Sequence, residues 1–325
     1  MATPWEPAAS FANIRARAKL LADIRAYFQN TGVLEVETPV CSAAGTTDPA
    51  IESFSSHYTG PGYPEGLTCY LHTSPEFPMK RLLAAGSGSI YQICKVFRAA
   101  ESGPRHNPEF TLLEWYRVGY DHLRLMDDVS GLICSLQSER CEVEKLTYAQ
   151  AFQRYLAIDP HSASIAELHQ CAREQGISLA DDFQLPDRDA WLDLLMSHLI
   201  EPKLGQDGLC FIYDYPASQA SLARIREDEP PVAERFELYW RGVELANGFH
   251  ELTDAVEQER RFLRDQKVRA AHDQPQMPMD RHLLAALAQG LPDCAGVALG
   301  VDRLLMLLSG AQHINDVLAF PLERA

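Results

Sequence analysis

The stretch Val96–Arg117, VFRAAESGPRHNPEFTLLEWYR, limits what this chain can fold into more than any other. Ahead of it and into it, Ser89–Phe97 is rich in β-branched and aromatic residues and reads as a strand. Glu109–Arg117 reads as a second strand. Between them lie Gly103, Pro104 and Pro108, which no helix or strand interior tolerates, so a polar loop joins the two. Alternation places Phe110, Leu112, Glu114 and Tyr116 on one face of the second strand. A ring, a carboxylate and a phenol facing the same way make a ligand surface rather than a core.

This stretch resembles motif 2 of the class II aminoacyl-tRNA synthetases. Arg105-His-Asn-Pro-Glu-Phe-Thr111 followed by Glu114-Trp-Tyr116 is similar to the lysyl branch. The resemblance implies that Arg98 grips the α-phosphate of ATP, that Phe110 stacks on adenine, and that Glu114 and Tyr116 receive a lysine ε-ammonium. It also places His106 and Asn107 at the nucleotide. The pattern departs at one point. The family's Arg-x-Glu is here Arg98-Ala99-Ala100, with Glu101 one place late. Either the loop shifts to present Glu101, or that nucleotide contact is lost.

Composition narrows the function classes. A hydrophobic fraction of 46% and a charged fraction of 23% over 325 residues are those of a soluble globular protein with ample core. No run approaches the ~18 apolar residues of a membrane span, and Met1–Pro7 lacks the basic-then-apolar pattern of a signal peptide. Eight cysteines without a C-x-x-C pair argue against zinc and against a disulfide framework, and predict a reducing cytoplasm. With 45 acids against 29 bases and a net charge of −16, stable tRNA binding is not expected, whereas a basic protein partner suits the surface.

Taken in order, Phe11–Asn30 carries Ile14, Leu20, Leu21, Ile24, Tyr27 and Phe28 at helical spacing and predicts an amphipathic helix ending at Asn30-Thr-Gly32. Val33–Pro39 predicts a short strand, and the pair resembles motif 1, which implies a homodimer interface. Gly60–Gly66 predicts a surface loop. Tyr70–Leu83 leads from strand to helix, with Ser74 as N-cap and Pro75 at the first helical position. Glu76 there suits the helix dipole in any protein, while the resemblance puts Ser74 and Glu76 at the substrate, with Glu76 on its α-amino group. Helices are predicted over Leu123–Gln137, Tyr148–Leu156, Ile165–Gln175 and Arg188–Leu199, with Thr147 and Asp187 as caps. They read as a helical insertion of approximately 121–205. Phe211–Leu222 predicts a strand leaving into a turn, and Arg224–Pro231 a mobile charged loop.

The second chemical centre is Ala233–Glu251. If Arg241-Gly242 forms a two-residue hairpin turn, Trp240 pairs with Val243 and Tyr239 with Glu244, and Glu237 lies diagonally across from Glu244. This is either a solvated acidic face or, since two carboxylates without a basic partner repel, a seat for Mg²⁺. The resemblance implies the second: Glu237 and Glu244 as Mg²⁺ ligands, Glu244 and Leu245 at ATP, and Glu251 joining Glu114 on the ammonium. Strict alternation puts Glu251 on the wrong face, so a bulge is predicted near Asn247-Gly248. After a helix over Asp254–His272 and another running through Leu287, Gly296–Leu308 reads as a strand entering a helix. It resembles motif 3, which makes Arg303 the γ-phosphate ligand, with Gly300 letting the nucleotide approach. Arg98 and Arg303 are thus the implied catalytic pair.

The resemblance covers nearly the whole chain and implies an α/β (α+β) fold. It would be a single class II catalytic domain over 1–325, a mostly antiparallel sheet flanked by helices. Motif 1 begins within about 35 residues of Met1, so no room is expected for a five-stranded anticodon-binding barrel. That architecture resembles the lysyl-synthetase paralogues that attach (R)-β-lysine to a lysine of elongation factor P. Ala298 agrees, because lysyl enzymes usually carry glycine there. Its methyl would displace the α-amino group and favour the β-amino isomer. The implied co-substrate is ATP with Mg²⁺. The chemistry is adenylation of a lysine-type carboxylate and transfer to a protein amine. The alternatives are a truncated lysyl-tRNA synthetase or a ligase with another acceptor, and a non-catalytic module that only binds lysine and ATP.

Overall fold

The computed structural model describes residues 5–137, 142–178, 180 and 183–325. Met1–Pro4, part of the stretch read for a signal peptide, lie outside the described residues. The chain divides into two compact units, one made of Met1–Gly119 and Thr253–Ala325, the other of Tyr120–Leu252.

Helix α1 (Phe11–Asn30) spans its predicted residues, and the Ser10 hydroxyl accepts from the Asn13 N–H at 3.2 Å. Leu20, Ile24 and Phe28, four apart, form its buried stripe. Less of Val33–Pro39 is strand than predicted: β1 (Leu34–Glu35) pairs for two residues, and β2 (Cys41–Ser42) follows. Where a surface loop was expected, β3 (Ser55–Gly60) and β4 (Tyr63–Leu71) make a hairpin. Gly62 turns its tip at φ 88°, a conformation L side chains resist. Helix α2 (Glu76–Ala84) starts one residue later than predicted, with Pro75 rather than Ser74 as its cap residue. Strands β5 (Ile90–Phe97) and β6 (Glu109–Val118) are the pair read around the polar loop.

The second unit contains α3 (His122–Leu136), β7 (Val143–Thr147), α4 (Tyr148–Leu156), α5 (Ile165–Glu174) and α6 (Arg188–Leu195). Thr147 closes a capping box with Gln150, and Asp187 caps α6, as their side chains predict. A π-helical turn, Met196–Ile200, ends the last predicted helix. Strands β8 (Leu209–Pro216), β9 (Ile225–Arg226), β10 (Val232–Trp240) and β11 (Val243–His250) follow. The predicted mobile loop is thus partly strand. β9 pairs with β10, and Arg226 is bound to Asp214, Asp228 and Glu234. Back in the first unit come α7 (Ala255–Ala271), α8 (Arg281–Gly290), β12 (Cys294–Gly300) and α9 (Val301–Ser309).

Within the first unit the strand order is β1-β5-β6-β12, antiparallel except for β1 on β5, and β2-β4-β3 form a separate antiparallel sheet. Within the second it is β11-β10-β8-β7, antiparallel except for β7 on β8. The α+β, mostly antiparallel expectation is borne out. In the second unit, Tyr148, Phe152, Trp191, Leu192, Leu195 and Ile212 belong to one buried core.

β6 holds the first unit together. From one face, Trp115 meets the Phe28 ring edge-on at 5.4 Å, and Phe28 stacks on Tyr91 at 4.3 Å. Asp302, in the first turn of α9, accepts from the Thr111 N–H at 2.7 Å and from the Arg17 guanidinium. One buried carboxylate therefore ties α9, β6 and α1. Asp302→Ala leaves the Thr111 N–H and the Arg17 charge without it, a loss of about 2–4 kcal/mol. Urea unfolding should show a lower midpoint at an unchanged slope.

Cys134 is disulfide-bonded, and Cys41, Cys69, Cys94, Cys171, Cys210 and Cys294 are free thiols. The sequence reading expected no disulfide because it looked for paired spacings. Whether two sulfurs bond depends instead on a Cβ separation of ~3.5–4.5 Å, which the fold sets. Among the described residues no helix is long and apolar enough to cross a membrane.

Candidate active site

In the first unit the carboxylate of Glu114, 2% exposed, is gripped from both sides. Ser74 Oγ donates to Oε2 and Tyr116 Oη donates to Oε1, each at 2.6 Å. Ser74 Oγ also accepts from the Glu76 N–H at 3.0 Å, which locks the hydroxyl hydrogen toward Glu114. Alternation along β6 aligns Glu114 and Tyr116 as predicted, and the register sets Ala298 of β12 directly opposite Glu114. Ala298 is half-buried, so its methyl borders the carboxylate face. Two hydroxyls donating to one carboxylate favour its anionic form. Its charge is felt next door: burial first, then Glu114, pushes the Cys94 thiol up to about 12.

Glu76 lies in the first turn of α2, and Lys80 Nζ, 2% exposed, donates to its Oε1 at 2.6 Å. Sequence reading passed over Lys80, although its i+4 spacing from Glu76 was the signal. The pair fixes the Glu76 rotamer beside Ser74.

The polar loop brings Glu101 beside Arg98. Ala100 is exposed, and the chain turns so that the Glu101 N–H donates to the Arg98 carbonyl at 3.3 Å. Glu101 Oε1 then sits 3.1 Å from Arg98 Nη1. The one-residue delay is absorbed by the turn, and an acid stands beside the arginine. Arg98 also lies over the Phe110 ring, with Cζ 5.2 Å from its centroid. Asn107 is otherwise engaged: its amide nitrogen donates to the Glu109 carbonyl at 2.6 Å, and its oxygen accepts from the Leu322 N–H at 3.2 Å. It braces the loop against the C-terminal tail.

Arg303, at the start of α9, reaches the same loop. Nε lies 3.4 Å from the Arg105 carbonyl, and Nη2 donates to His106 Nε2 at 2.5 Å. His106 can accept only when neutral. Burial first, then the Arg303 charge, lowers its pKa, with Glu101 opposing. At neutral pH the loop is therefore docked on Arg303. As pH falls below the ordinary histidine value of ~6.5, His106 gains a proton and repels Arg303, Arg98 and Arg105. The expected profile of kcat/KM for ATP has an acid limb with its midpoint below ~6.5, absent in His106→Gln. An unchanged limb in that variant would refute the assignment. Gly300 caps α9 at an ordinary φ of −74°, and an added Cβ would meet nothing closer than the Arg303 side chain at 3.8 Å. No fold requirement explains a glycine there.

In the second unit, Arg241 and Gly242 both take positive φ (52° and 68°), and Trp240 pairs with Val243 and Tyr239 with Glu244, as predicted. The register then slips: Leu238 faces Ala246 and Glu237 faces Asn247, so Leu245 is the extra residue. The predicted bulge exists but sits at Leu245, not at Asn247-Gly248. Its effect is the one required, since one extra residue moves Asn247, Phe249 and Glu251 to the parity of Glu244. Leu245 itself is 2% exposed, so only its backbone is placed to meet a ligand.

One premise of the sequence reading is overturned. Glu237 does have a basic partner: Arg235 pairs with its Oε1, and Tyr215 and Tyr239 donate to Oε2 at 2.7 and 2.5 Å. Burial first, then the Glu237 charge, raises both phenols well above their ordinary value, so they stay protonated donors. Arg235 lies two residues from Glu237 on the same strand, and period-two counting already put them together. Glu237, Arg235 and Tyr215 line a cavity of ≈ 350 Å³ with Tyr148, Asp193 and Gln219. Those three bonds use three of the four or so acceptor positions of Glu237, and Glu244 on the neighbouring strand is half-buried.

Comparison with known proteins identifies the family. A family model described as tRNA synthetases class II (D, K and N) matches residues 6–324. An elongation factor P–(R)-β-lysine ligase of Pectobacterium carotovorum subsp. carotovorum is 52% identical over 327 residues, covering 99% of each chain. Proteins of the same name from Salmonella paratyphi B and Salmonella heidelberg are 52% identical over 322 residues, covering 99% of this chain and 98% of theirs. A docked arginine at the head of a motif 3 helix, a motif 2 strand pair and a match along nearly the whole length lead to one assignment: the chain belongs to the class II tRNA synthetases of the D, K and N group.

Proposed function

We infer that this chain is an ATP-dependent ligase that activates (R)-β-lysine and transfers it to the ε-amino group of a lysine of elongation factor P. The observation that carries this reading is the 52% identity, over 99% of both chains, to a ligase of that name. In the first step an oxygen of the amino-acid carboxylate bonds to the α-phosphorus of ATP, and the bond from that phosphorus to the β-bridging oxygen breaks. In the second, the amine nitrogen of the acceptor bonds to the acyl carbon, AMP leaves with the former carboxylate oxygen, and the nitrogen gives up a proton. Catalysis rests on positioning and charge, without a covalent nucleophile.

Arg98, with Glu101 beside it, holds the α-phosphate, and Phe110 carries the adenine. Arg303 takes the γ-phosphate and opposes the charge that develops as pyrophosphate leaves. Glu114, set by Ser74 and Tyr116, takes the side-chain ammonium, and Glu76 the other amine. The resemblance assigns Glu251 to the ammonium, Leu245 to ATP, and Glu237 and Glu244 to Mg²⁺, which supplies further neutralisation of phosphate charge when bound. Exposed Phe11, Leu34 and Val40 along the motif 1 segment support a homodimer. The acceptor, a translation factor, makes the cytoplasm the working compartment.

The test is an intact-mass assay with Mg·ATP, (R)-β-lysine or α-lysine, and elongation factor P or lysine tRNA. A lysyl-sized gain on the factor, larger with β-lysine, is expected. Charging of the tRNA alone would make the chain a minimal synthetase, and no transfer would leave a binding module. Ala298→Gly should narrow the preference for β- over α-lysine by about 10-fold, the scale of one methyl group in a pocket. Unchanged discrimination would remove Ala298 from the account.

A further inference from the structure

Three side chains of the second unit, His122, Glu234 and His250, have no place in the chemistry above. Each offers one ligand atom, and these atoms lie within 4.8 Å of one another. His122 opens α3, and Glu234 and His250 sit on β10 and β11, one step beyond the Arg235–Phe249 pair. Both imidazoles are buried, at 2% and 7% exposure. The His122 and His250 rings lie nearly parallel, 21° apart, with centroids at 6.4 Å.

The surroundings are built rather than incidental. Glu234 and Arg235 together oppose the single residue Asp214, a bulge between β10 and β8 that re-aims side chains. Asp214 Oδ1 lies 3.3 Å from His122 Nε2, and Arg226 Nη2 holds Asp214 Oδ2 at 2.8 Å. With Nε2 so oriented, the other nitrogen of His122, Nδ1, is buried with no hydrogen-bond partner. A buried imidazole nitrogen without a partner costs stability unless something coordinates it. On the other side, His250 Nδ1 meets Glu234 Oε2 at 2.5 Å, a contact in which one proton is shared. Asp214 behind His122, whose second nitrogen has no hydrogen-bond partner, is the pattern that orients metal-binding imidazoles.

We propose that His122, Glu234 and His250 form a binding site for a first-row divalent transition metal, with zinc as its expected occupant and Asp214 orienting His122 from behind. Two imidazoles and one carboxylate leave a fourth position for water, the ligand set of an open zinc site. Nitrogen donors set it apart from an all-oxygen magnesium site. In a tetrahedral site with ~2.0–2.2 Å bonds, donors stand ~3.4 Å apart, so the more distant donors close inward by about 1 Å while the 2.5 Å contact between His250 and Glu234 opens. The proton between His250 and Glu234 leaves as the cation enters. His250 ends β11 one residue before Glu251, so an ion here pins the strand end that carries Glu251.

The test uses the full chain, stripped with a chelator and held in excess Mg²⁺ so that hard-cation sites are filled. Zn²⁺ is titrated by calorimetry, and Co²⁺ is followed by its visible absorption. Expected are one equivalent of Zn²⁺ at micromolar protein and the strong visible bands of cobalt in a four-coordinate site. Both should disappear in His122→Gln and His250→Gln, and Asp214→Asn should weaken Zn²⁺ about 10–100-fold. Near-UV circular dichroism monitors the fold. If a histidine variant fails to fold, Glu234→Gln, which keeps size and shape, decides the matter by the same loss. Absence of a stoichiometric site, or a site unmoved by all of these substitutions, overturns the proposal. Ligase activity enters none of these readouts, so failure here leaves the functional reading untouched.

Discussion

Arg303→Ala is expected to lower ATP–pyrophosphate exchange by about 10²–10³-fold, the usual loss when one preorganised donor to a developing charge is removed. The side chain is held by the Arg105 carbonyl and His106 Nε2, so its guanidinium is aimed before nucleotide arrives. Those two partners are a backbone carbonyl and a neutral ring, neither of which is left as an unpaired charge on truncation. Thermal stability should therefore move by no more than about 1 kcal/mol. Arg303→Lys keeps the charge but not the planar fork, so it should recover only part of the rate. The comparison separates an electrostatic role from a structural one. Exchange kinetics within threefold of wild type in Arg303→Ala would exclude the assignment.

Glu114→Gln carries the second large effect, a fall of about 10²–10³-fold in kcat/KM for the amino acid with the KM for ATP little changed. The Glu114 carboxylate is almost fully buried, and truncating a buried, hydrogen-bonded charge partner costs ~2–5 kcal/mol of binding. Glutamine keeps the length and one acceptor oxygen, so either Ser74 or Tyr116 still finds a partner while the other loses one. A readout independent of activity exists in Cys94. Its thiol is held at about 12 by burial and then by the Glu114 charge, so removing that charge should lower the pKa and speed alkylation at alkaline pH. A variant with weak activity but an unmoved Cys94 titration would mean that Glu114 is not the anion inferred here.

Much of this site was legible before any coordinates. The β5–β6 pair with its polar loop, the facing of Glu114 and Tyr116, the Arg241-Gly242 turn and the α1 helix were all read correctly. Each rests on interactions within a few residues: alternation, a positive-φ turn, a helical stripe, a capping hydroxyl. Even the need for a bulge before Glu251 followed from parity alone. Its position did not. An extra residue can be absorbed anywhere along a strand, and which residue is extruded is decided by the strand packed against it. Only the β10–β11 register places it at Leu245.

The misses share one cause. Asp302 joining three elements, the β3–β4 hairpin and the gathering of His122, Asp214, Glu234 and His250 all depend on which segments become neighbours. Asp302 and Arg17 are 285 residues apart, and no periodicity or cap reports on such a pair. The sequence by itself determined the fold class and most of the local elements, and it singled out Arg98, Glu114 and Arg303 as candidates, because alternation, caps and motif residues are local. Only the tertiary structure decided which charges are paired, where the strand slips and which histidines meet. Those outcomes depend on long-range packing and on how much water each charged group loses when the fold closes around it.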